Sequence, residues 1–358
     1  MKRPFIFPWA VKGVKMKIDV ALLGATGAVG QNFIRLLNEH SLFSLREVFA
    51  SERSAGKTYN EAVQWKLPDP CPADTASLMV QSCDTFPRAR LVFSALDASV
   101  AGPIEKRLAE AGYFVISNAK NHRMDADVPI IIPEINGPLL EKIPRATGSL
   151  ITNPNCSTAG LALALFPLHQ DFGIRSLHTV TMQAVSGAGY PGLSAWDVMG
   201  NIIPLIPGEE DKIREELPKI FGVYNGKAIV PASITVTASC NRVPVRDGHM
   251  LDLFIELERP ASRDDIIRSW QSFQPLKTLP FTPLAPEYPV LYKEEDTWPQ
   301  PLFLNSYNSM SVLTGRLRQY SDKTFQLKAL VHNTMRGAAG NALLIGEWAF
   351  YKKILPGL

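Results

Sequence analysis

Residues 152–160 read TNPNCSTAG, with Cys156 between an Asn-Pro-Asn approach and a Ser-Thr pair, just ahead of the apolar run LALALF. A thiol at the mouth of a helix meets unpaired backbone N–H groups and the positive end of the macrodipole, which favour the thiolate and lower the pKa below the free value of about 8.5. Such a thiolate attacks acyl carbons, and Asn153, Asn155 or nearby N–H groups can stabilise the oxyanion that forms. The same residues also suit a plainer arrangement, with Cys156 a small buried side chain and Ser157 or Thr158 the helix cap.

A second cluster lies in CNRVPVRDGH, residues 240–249. Arg242 ends one strand pattern, Asp247-Gly248 turns, and His249 opens the next strand. A hairpin there brings a guanidinium, suited to gripping a carboxylate in fork geometry, beside an imidazole that moves protons near neutral pH. A polar residue at a strand start is the alternative for His249, and the histidines at 40, 122, 169, 178 and 332 read as mostly structural or exposed.

The third cluster is a glycine turn. Gly24, Gly27 and Gly30 have G-x-x-G-x-x-G spacing between a strand pattern at 17–23 and the helical pattern QNFIRLLNEH. There, backbone N–H groups and the helix dipole can hold a pyrophosphate, although a plain turn and helix cap shares the pattern. The second strand, 47–50, runs into Ser51-Glu52-Arg53-Ser54 with Lys57 close behind. Arg53 among hydroxyls suits the 2′-phosphate of NADP, whereas an acidic residue at this point is what NAD sites use. Glu52 could serve a ribose hydroxyl, and a solvated turn is the remaining alternative. A dinucleotide site followed by a thiolate is what thiol-dependent aldehyde chemistry needs: sulfur adds to the acyl carbon and hydride moves between that carbon and the nicotinamide.

Positioning these groups requires two kinds of sheet. Strand patterns at 17–23, 47–50, 91–96 and 113–117 alternate with helical ones, including 99–112, which predicts a Rossmann-type, doubly wound parallel sheet. After residue 152 the strand runs lengthen, at 176–187, 233–245, 249–258, 309–319 and 324–331, which predicts an α+β unit on a mixed, largely antiparallel sheet. The expected division is an NADP-binding domain at 17–152, completed by an amphipathic C-terminal helix within 332–358, and a catalytic and oligomerisation domain at 153–331. The prolines between 275 and 301 suit an irregular surface excursion. Residues 1–16 read as a disordered leader, since the apolar stretch is too short for a signal peptide.

The bulk numbers exclude other classes. The 358 residues are 46% hydrophobic and 20% charged, with a formal net charge of +3, ordinary for a globular protein with two cores and no nucleic-acid partner. No run approaches a membrane span. Cys71, Cys83, Cys156 and Cys240 lie far apart without metal-ligand spacing, which predicts no metal, reduced thiols and a cytoplasmic location.

From residue 17 onwards the chain resembles the aspartate-β-semialdehyde dehydrogenase family, in its archaeal and fungal branch. The motifs are GATGAVGQ, ASERSAGK, SNAKNHRM followed by DVPIIIPEIN, TNPNCSTAG, QAVSGAGYPG, NIIPLIPGEEDKI, RVPVRDGH and HNTMRGAAGNA, specific through their order and intervals. The resemblance implies reductive dephosphorylation of L-4-aspartyl phosphate by NADPH, for lysine, threonine and methionine synthesis, in a homodimer or homotetramer. It also implies Cys156 as nucleophile, His249 as acid/base, Gln183 orienting the acyl intermediate and Arg242 on the substrate α-carboxylate. Glu209 and Lys212 match the pair that meets the substrate amine and phosphate, with Glu210 and Asp211 alternatives for the amine, and the charged first turn of a surface helix the plain reading. Arg123 and Asn118 resemble phosphate and nicotinamide-pocket contacts. For the cofactor, Gly24, Thr26, Gly27, Val29 and Gly30 match the pyrophosphate turn, Ser51, Arg53 and Ser54 the 2′-phosphate loop, and Asn333 with Thr334 the nicotinamide side, with Ser186 and Gly187 as further cofactor contacts. Malonyl-CoA reductase and N-acetylglutamyl phosphate reductase are the nearest competing activities, and Glu209 discriminates, since a substrate without an amine leaves it without a partner. A non-enzymatic dinucleotide-binding protein is the further alternative.

Overall fold

The computed structural model describes residues 17–143, 148–277, 279, 282–306 and 309–355. The leader reading at 1–16 lies outside the described residues. The first sheet contains β1 (Ile18–Leu23), β2 (Phe43–Ala50), β3 (Val80–Ser82), β4 (Leu91–Ser94), β5 (Phe114–Ser117) and β6 (Ser149–Thr152), with helices α1 (Ala28–Asn38) and α2 (Ala98–Glu110) between strands. All neighbours are parallel, in the order β3-β2-β1-β4-β5-β6. Val20 to Leu23 and Leu91 to Phe93 are apolar without alternation because both faces of the sheet are covered. The strand order reverses between β1 and β4, so the crevice where doubly wound sheets take their ligands opens at their carboxyl ends. Gly24 lies there at φ +71°, and a Cβ on it would stand 2.4 Å from the Ala95 carbonyl oxygen, so the turn requires glycine.

The second part contains α3 (Cys156–Phe172), β7 (Ile174–Gln183), α4 (Glu209–Ile220), β8 (Thr235–Arg242), β9 (His249–Leu257), α5 (Arg263–Ser272), β10 (Val290–Lys293), β11 (Val312–Gln319), β12 (Thr324–Val331) and α6 (Gly340–Tyr351). Its sheet runs β8-β7-β9-β12-β11-β10. The pairs β7/β9, β9/β12 and β11/β12 are antiparallel and the pairs β7/β8 and β10/β11 parallel, which is the mixed sheet expected. Helix α3 is apolar all round because it is wedged between β9 and β12 on one side and α4 and α5 on the other.

Three expectations change. Strands β8 and β9 do not form a hairpin: both pair with β7, which lies between them. The connection over 243–248 uses its hydrogen bonds on the chain beyond β7 instead, Val185 N–H to Val245 O at 2.8 Å and Ser186 N–H to Arg246 O at 3.1 Å, while Pro244 has no N–H for a ladder. Helix α6 is not amphipathic; residues Gly340 to Ala349 are buried, packed into the same apolar core as β1, β2, β4 and β5. Its two polar exceptions find partners inside the protein, Glu347 in His40 Nε2 at 2.9 Å and Asn341 Nδ2 in the Ile131 carbonyl at 3.0 Å, while Asn341 Oδ1 has no donor among the described residues. The proline-rich stretch is also more than a surface excursion, since Leu276 and Leu284 are buried in that core. Among the described residues, no helix is long and apolar enough to cross a membrane.

Candidate active site

Helix α3 begins on Cys156 itself, and its cap is Asn155 rather than Ser157 or Thr158. The Asn155 Oδ1 accepts the N–H groups of Ser157 at 3.0 Å and Thr158 at 3.2 Å. Facing this helix mouth is one end of the second sheet. Gln183 ends β7, its register partner Arg242 ends β8, and His249 opens β9 beside the Met182–Met250 pair. The antiparallel turn expected to join Arg242 and His249 is thus replaced by three adjacent strand ends, which also bring in Gln183.

Helix α4 carries Glu209, whose buried carboxylate ties these pieces together. Its Oε2 accepts Asn155 Nδ2 at 2.9 Å and Gln183 Nε2 at 3.3 Å, and its Oε1 pairs with Lys212 Nζ at 2.5 Å. Burial raises the Glu209 pKa, but the Lys212 charge and these hydrogen bonds outweigh it and hold the carboxyl below its ordinary value.

Around Ala184 the backbone positions the other two groups. The Ala184 carbonyl accepts Arg242 Nη1 at 2.6 Å, and the Ala184 N–H donates to His249 Nδ1 at 3.0 Å. With Nδ1 an acceptor, the neutral ring carries its hydrogen on Nε2. Burial, and then the charge of Arg242, push the His249 pKa down to about 3, so the ring is neutral near pH 7 and Nε2–H is a hydrogen-bond donor. Gly187 covers this edge: a Cβ there would lie 3.1 Å from Arg242 Nη1 and 3.2 Å from His249 Nε2.

The expected lowering of the Cys156 pKa is not what the environment produces. Cys156 keeps partial solvent contact, yet burial pushes its thiol up to about 12 and the Glu209 carboxylate adds to the rise. Arg123, Lys212 and the Ser157 amide pull the other way without balancing it. The helix mouth is a local feature, and the desolvation that overrides it comes from tertiary packing.

Arg123 and Asn118 sit on the loop after β5. Arg123 Nη2 donates to the Asn118 carbonyl at 2.7 Å and Nη1 to Glu216 Oε1 at 2.8 Å, leaving Nε buried without an acceptor. Asn118 Nδ2 donates to the Ser94 carbonyl at 3.0 Å. Three donors in this cluster have no protein acceptor among the described residues: Arg123 Nε, Arg242 Nε and His249 Nε2.

At the crevice, Gly27 caps α1 without a side-chain cap, so the first-turn amides are left for a ligand, and Thr26 and Val29 border them partly exposed. Gly30 lies where a Cβ would meet the Gly24 carbonyl at 2.3 Å. In the loop after β2, Glu52 is bound by the Ser82 hydroxyl, while Arg53 is exposed between Ser51 and Ser54 with no acidic partner among the described residues. Asn333 is engaged within the protein, donating to Ser186 Oγ at 2.8 Å and accepting the Gly248 N–H at 2.9 Å, so it ties two loops flanking His249 together. Thr334 lies partly exposed beside His332.

Two participants escaped the sequence reading. Gly337 packs on Cys156, with the position of a Cβ only 2.5 Å from Cys156 Cβ, a contact between segments remote in sequence that no motif announces. Glu216 binds both Arg123 and the Asn155 N–H. Its signal is legible: it stands seven residues after Glu209, on the face of α4 that carries the buried Ile213, Leu217 and Ile220.

A doubly wound nucleotide-binding sheet, joined to a mixed sheet whose strand ends meet a cysteine-bearing helix, defines a two-domain dehydrogenase. Residues 19–143 match the family model for the semialdehyde dehydrogenase NAD binding domain, and residues 165–336 the model for the semialdehyde dehydrogenase dimerisation domain. The chain is 42% identical over 348 residues to an aspartate-semialdehyde dehydrogenase of Archaeoglobus fulgidus, covering 95% of this chain and all of the relative. It is also similar to the solved aspartate semialdehyde dehydrogenase of Candida albicans with NADP, at 38% identity and a TM-score of 0.88 over 95% of this chain and 100% of that one. A solved aspartate semialdehyde dehydrogenase II of Vibrio cholerae complexed with ASA is 27% identical, with a TM-score of 0.75 over 94% of this chain and 98% of that one. The chain belongs to the aspartate-semialdehyde dehydrogenase family.

Proposed function

We propose that this chain catalyses the NADPH-dependent reductive dephosphorylation of L-4-aspartyl phosphate to L-aspartate 4-semialdehyde and phosphate, in lysine, threonine and methionine biosynthesis. The observation that carries the reading is the set of buried donors without a protein acceptor around Cys156, namely Arg123 Nε, Arg242 Nε and His249 Nε2. A substrate with a carboxylate at one end, a phosphate at the other and an oxyanion forming between them supplies an acceptor for each.

In this reading Arg242 holds the α-carboxylate, Glu209 the ammonium, and Lys212 with Arg123 the phosphate, with Asn118 beside them. Cys156 Sγ bonds to the acyl carbon, phosphate leaves, and a thioester remains, oriented by Gln183. His249, whose tautomer is set by the Ala184 N–H, donates through Nε2 to the oxygen that becomes anionic at this carbon. Burial holds the thiol of the free site up at about 12, so its proton leaves as the S–C bond forms, and the departing phosphate oxygen takes it. NADPH supplies the hydride that reduces the thioester, after which the thiolate is expelled and the aldehyde released. For the cofactor, Gly24, Thr26, Gly27, Val29 and Gly30 hold the pyrophosphate, Ser51, Arg53 and Ser54 the 2′-phosphate, and Ser186, Gly187 and Thr334 the nicotinamide side, with Asn333 keeping that loop in place. The fit rests on the open first-turn amides of α1 and on Arg53 being unpaired while Glu52 is held by Ser82.

The same reading divides the chain into a cofactor unit of 17–152 completed by 332–358 and a catalytic and oligomerisation unit of 153–331, supported by the apolar core that α6 shares with the first sheet. It makes the protein a cytoplasmic homodimer or homotetramer. Tyr190, Leu193, Trp196, Met199, Ile202 and Leu205 are all exposed, Trp196 at 93%, and such a patch suits burial against a second copy.

The test is phosphate-dependent reduction of NADP by the purified chain with aspartate semialdehyde, run beside Cys156→Ala and an NAD control. Turnover that needs phosphate and vanishes in the variant supports the reaction and the nucleophile. A folded, NADPH-binding protein without turnover refutes the aspartyl substrate.

A further inference from the structure

Helix α4 touches the candidate site twice, and only its first contact has a role in the reaction above. Glu216, two turns after Glu209, is 2% exposed and has both carboxylate oxygens engaged. Oε2 accepts the Asn155 backbone N–H at 2.6 Å, and Oε1 accepts Arg123 Nη1 at 2.8 Å. Asn155 caps the helix that starts on Cys156, and its side chain reaches Glu209. Lys219, one turn further on α4, donates to the Arg123 carbonyl at 2.6 Å and the Asp125 carbonyl at 2.7 Å. The loop bearing Arg123 and the segment bearing the sulfur are thus fastened to one helix, and Glu216 is the side chain that holds both.

We propose that Glu216 is a positioning residue of this reaction: its carboxylate braces the cap of the nucleophile's helix and the phosphate-side Arg123 together, so that sulfur and leaving-group site keep one register. The proposal rests on the aspartyl phosphate reading for the role of Arg123. Engaging Nη1 with Glu216 and Nη2 with the Asn118 carbonyl fixes the guanidinium plane and leaves Nε–H over, one of the three donors without an acceptor. A buried ion pair is weak support for stability, since apolar residues of similar volume serve as well or better. What an apolar residue cannot do is accept two donors from two segments at once.

Glu216→Gln keeps the shape but accepts only one of the two donors and turns an N–H toward the other. In the full chain, the KM for phosphate in NADP reduction rises about tenfold, the loss of one hydrogen bond to a charged group, while the KM for NADP holds. The rate of Cys156 alkylation by iodoacetamide, read by mass spectrometry without substrate, changes as well. Combined with Arg123→Lys, which keeps the charge but loses the fork, the phosphate KM of the double variant does not exceed that of the worse single one, because the residues act as a unit. A folded Glu216→Gln protein with wild-type phosphate KM and alkylation rate overturns the proposal. Should that variant not fold, Arg123→Lys alone decides, an unchanged phosphate KM being fatal. If the wild-type chain shows no phosphate-dependent turnover, the functional reading has failed, and the alkylation rates of the variants still decide whether the brace sets the sulfur.

Discussion

Gly337→Ala tests how the sulfur is placed. The alanine Cβ would lie 2.5 Å from Cys156 Cβ, 2.8 Å from its Cα and 3.3 Å from its carbonyl oxygen. Carbon atoms in good contact stand about 3.5–4.0 Å apart, so one of the two segments must give way by about 1 Å. The glycine side is fixed: Gly337 N–H donates to the His332 carbonyl at 3.0 Å, its carbonyl accepts Asn153 Nδ2 at 3.3 Å, and Asn153 Oδ1 in turn accepts Asn341 Nδ2 at 2.5 Å. Its neighbour Arg336 is paired with Glu134 at 2.6 Å, both fully buried. The Cys156 side is held as well, by the Asn155 cap and by Glu216, so the displacement is shared and part of it falls on Cys156. Overpacking costs about 1–3 kcal/mol of stability, and a misplacement of about 1 Å costs on the order of 100-fold in rate. The expected variant melts a few degrees lower, keeps its KM for aspartate semialdehyde because Arg242 and Glu209 are untouched, and loses about 100-fold in kcat. Steady-state NADP reduction with a thermal melt measures all three. A stable variant with kcat within a factor of two of wild type refutes the idea that this backbone contact places the sulfur.

Because burial pushes the free Cys156 thiol up to about 12, iodoacetamide alkylation should accelerate steadily through pH 10, and a plateau near pH 7 would contradict it. His249 and His332 are pushed down to about 3 and about 4 by burial, against about 6.5 when unfolded. Between about pH 6.5 and 4 the unfolded chain binds protons that the native one refuses, so stability falls as pH falls, by about 1.4 kcal/mol per unit for each histidine. Urea melts across that range check the slope, which His249→Asn should reduce by about 1.4 kcal/mol per pH unit; an unchanged slope rules the histidine out. Arg53→Ala should raise the KM for NADP about 10–100-fold, the loss of one or two hydrogen bonds to a charged group, and leave that for NAD alone; equal effects on both would remove the 2′-phosphate role.

Much of the first sheet is legible because its information is local. A buried strand, three glycines and a helix announce themselves within a dozen residues, and the strand order then follows a familiar winding. The second sheet shows its strands but not their partners: Asp247-Gly248 reads as a hairpin turn, yet β7, lying far upstream, intervenes. The same limit applies to the site. Cys156, Arg242 and His249 stand out by type and spacing, while the Cys156 pKa depends on packing from α4 and the 335–339 segment that no local pattern reports. Ala184 contributes only backbone atoms, so its part in fixing Arg242 and the His249 tautomer is invisible in a string of side chains. Glu216 could have been found, as a carboxylate on the apolar stripe of α4 needs buried partners.

The placement of α6 has a consequence for how the protein is made. Leu343, Leu344, Ile345 and Trp348 share the core of the first sheet, and the position of a Cβ on Gly346 is 3.1 Å from Phe93 on β4 and 3.2 Å from Phe43 on β2. The nucleotide-binding sheet is therefore completed by a helix made long after its last strand, β6 ending at Thr152 and α6 beginning at Gly340. At roughly 5–20 residues per second, its strands wait on the order of 10–40 s between the synthesis of β6 and that of α6. During that interval Phe33, Phe43 and Phe93 border apolar surface that α6 has yet to cover, and surface of that kind is prone to stick elsewhere.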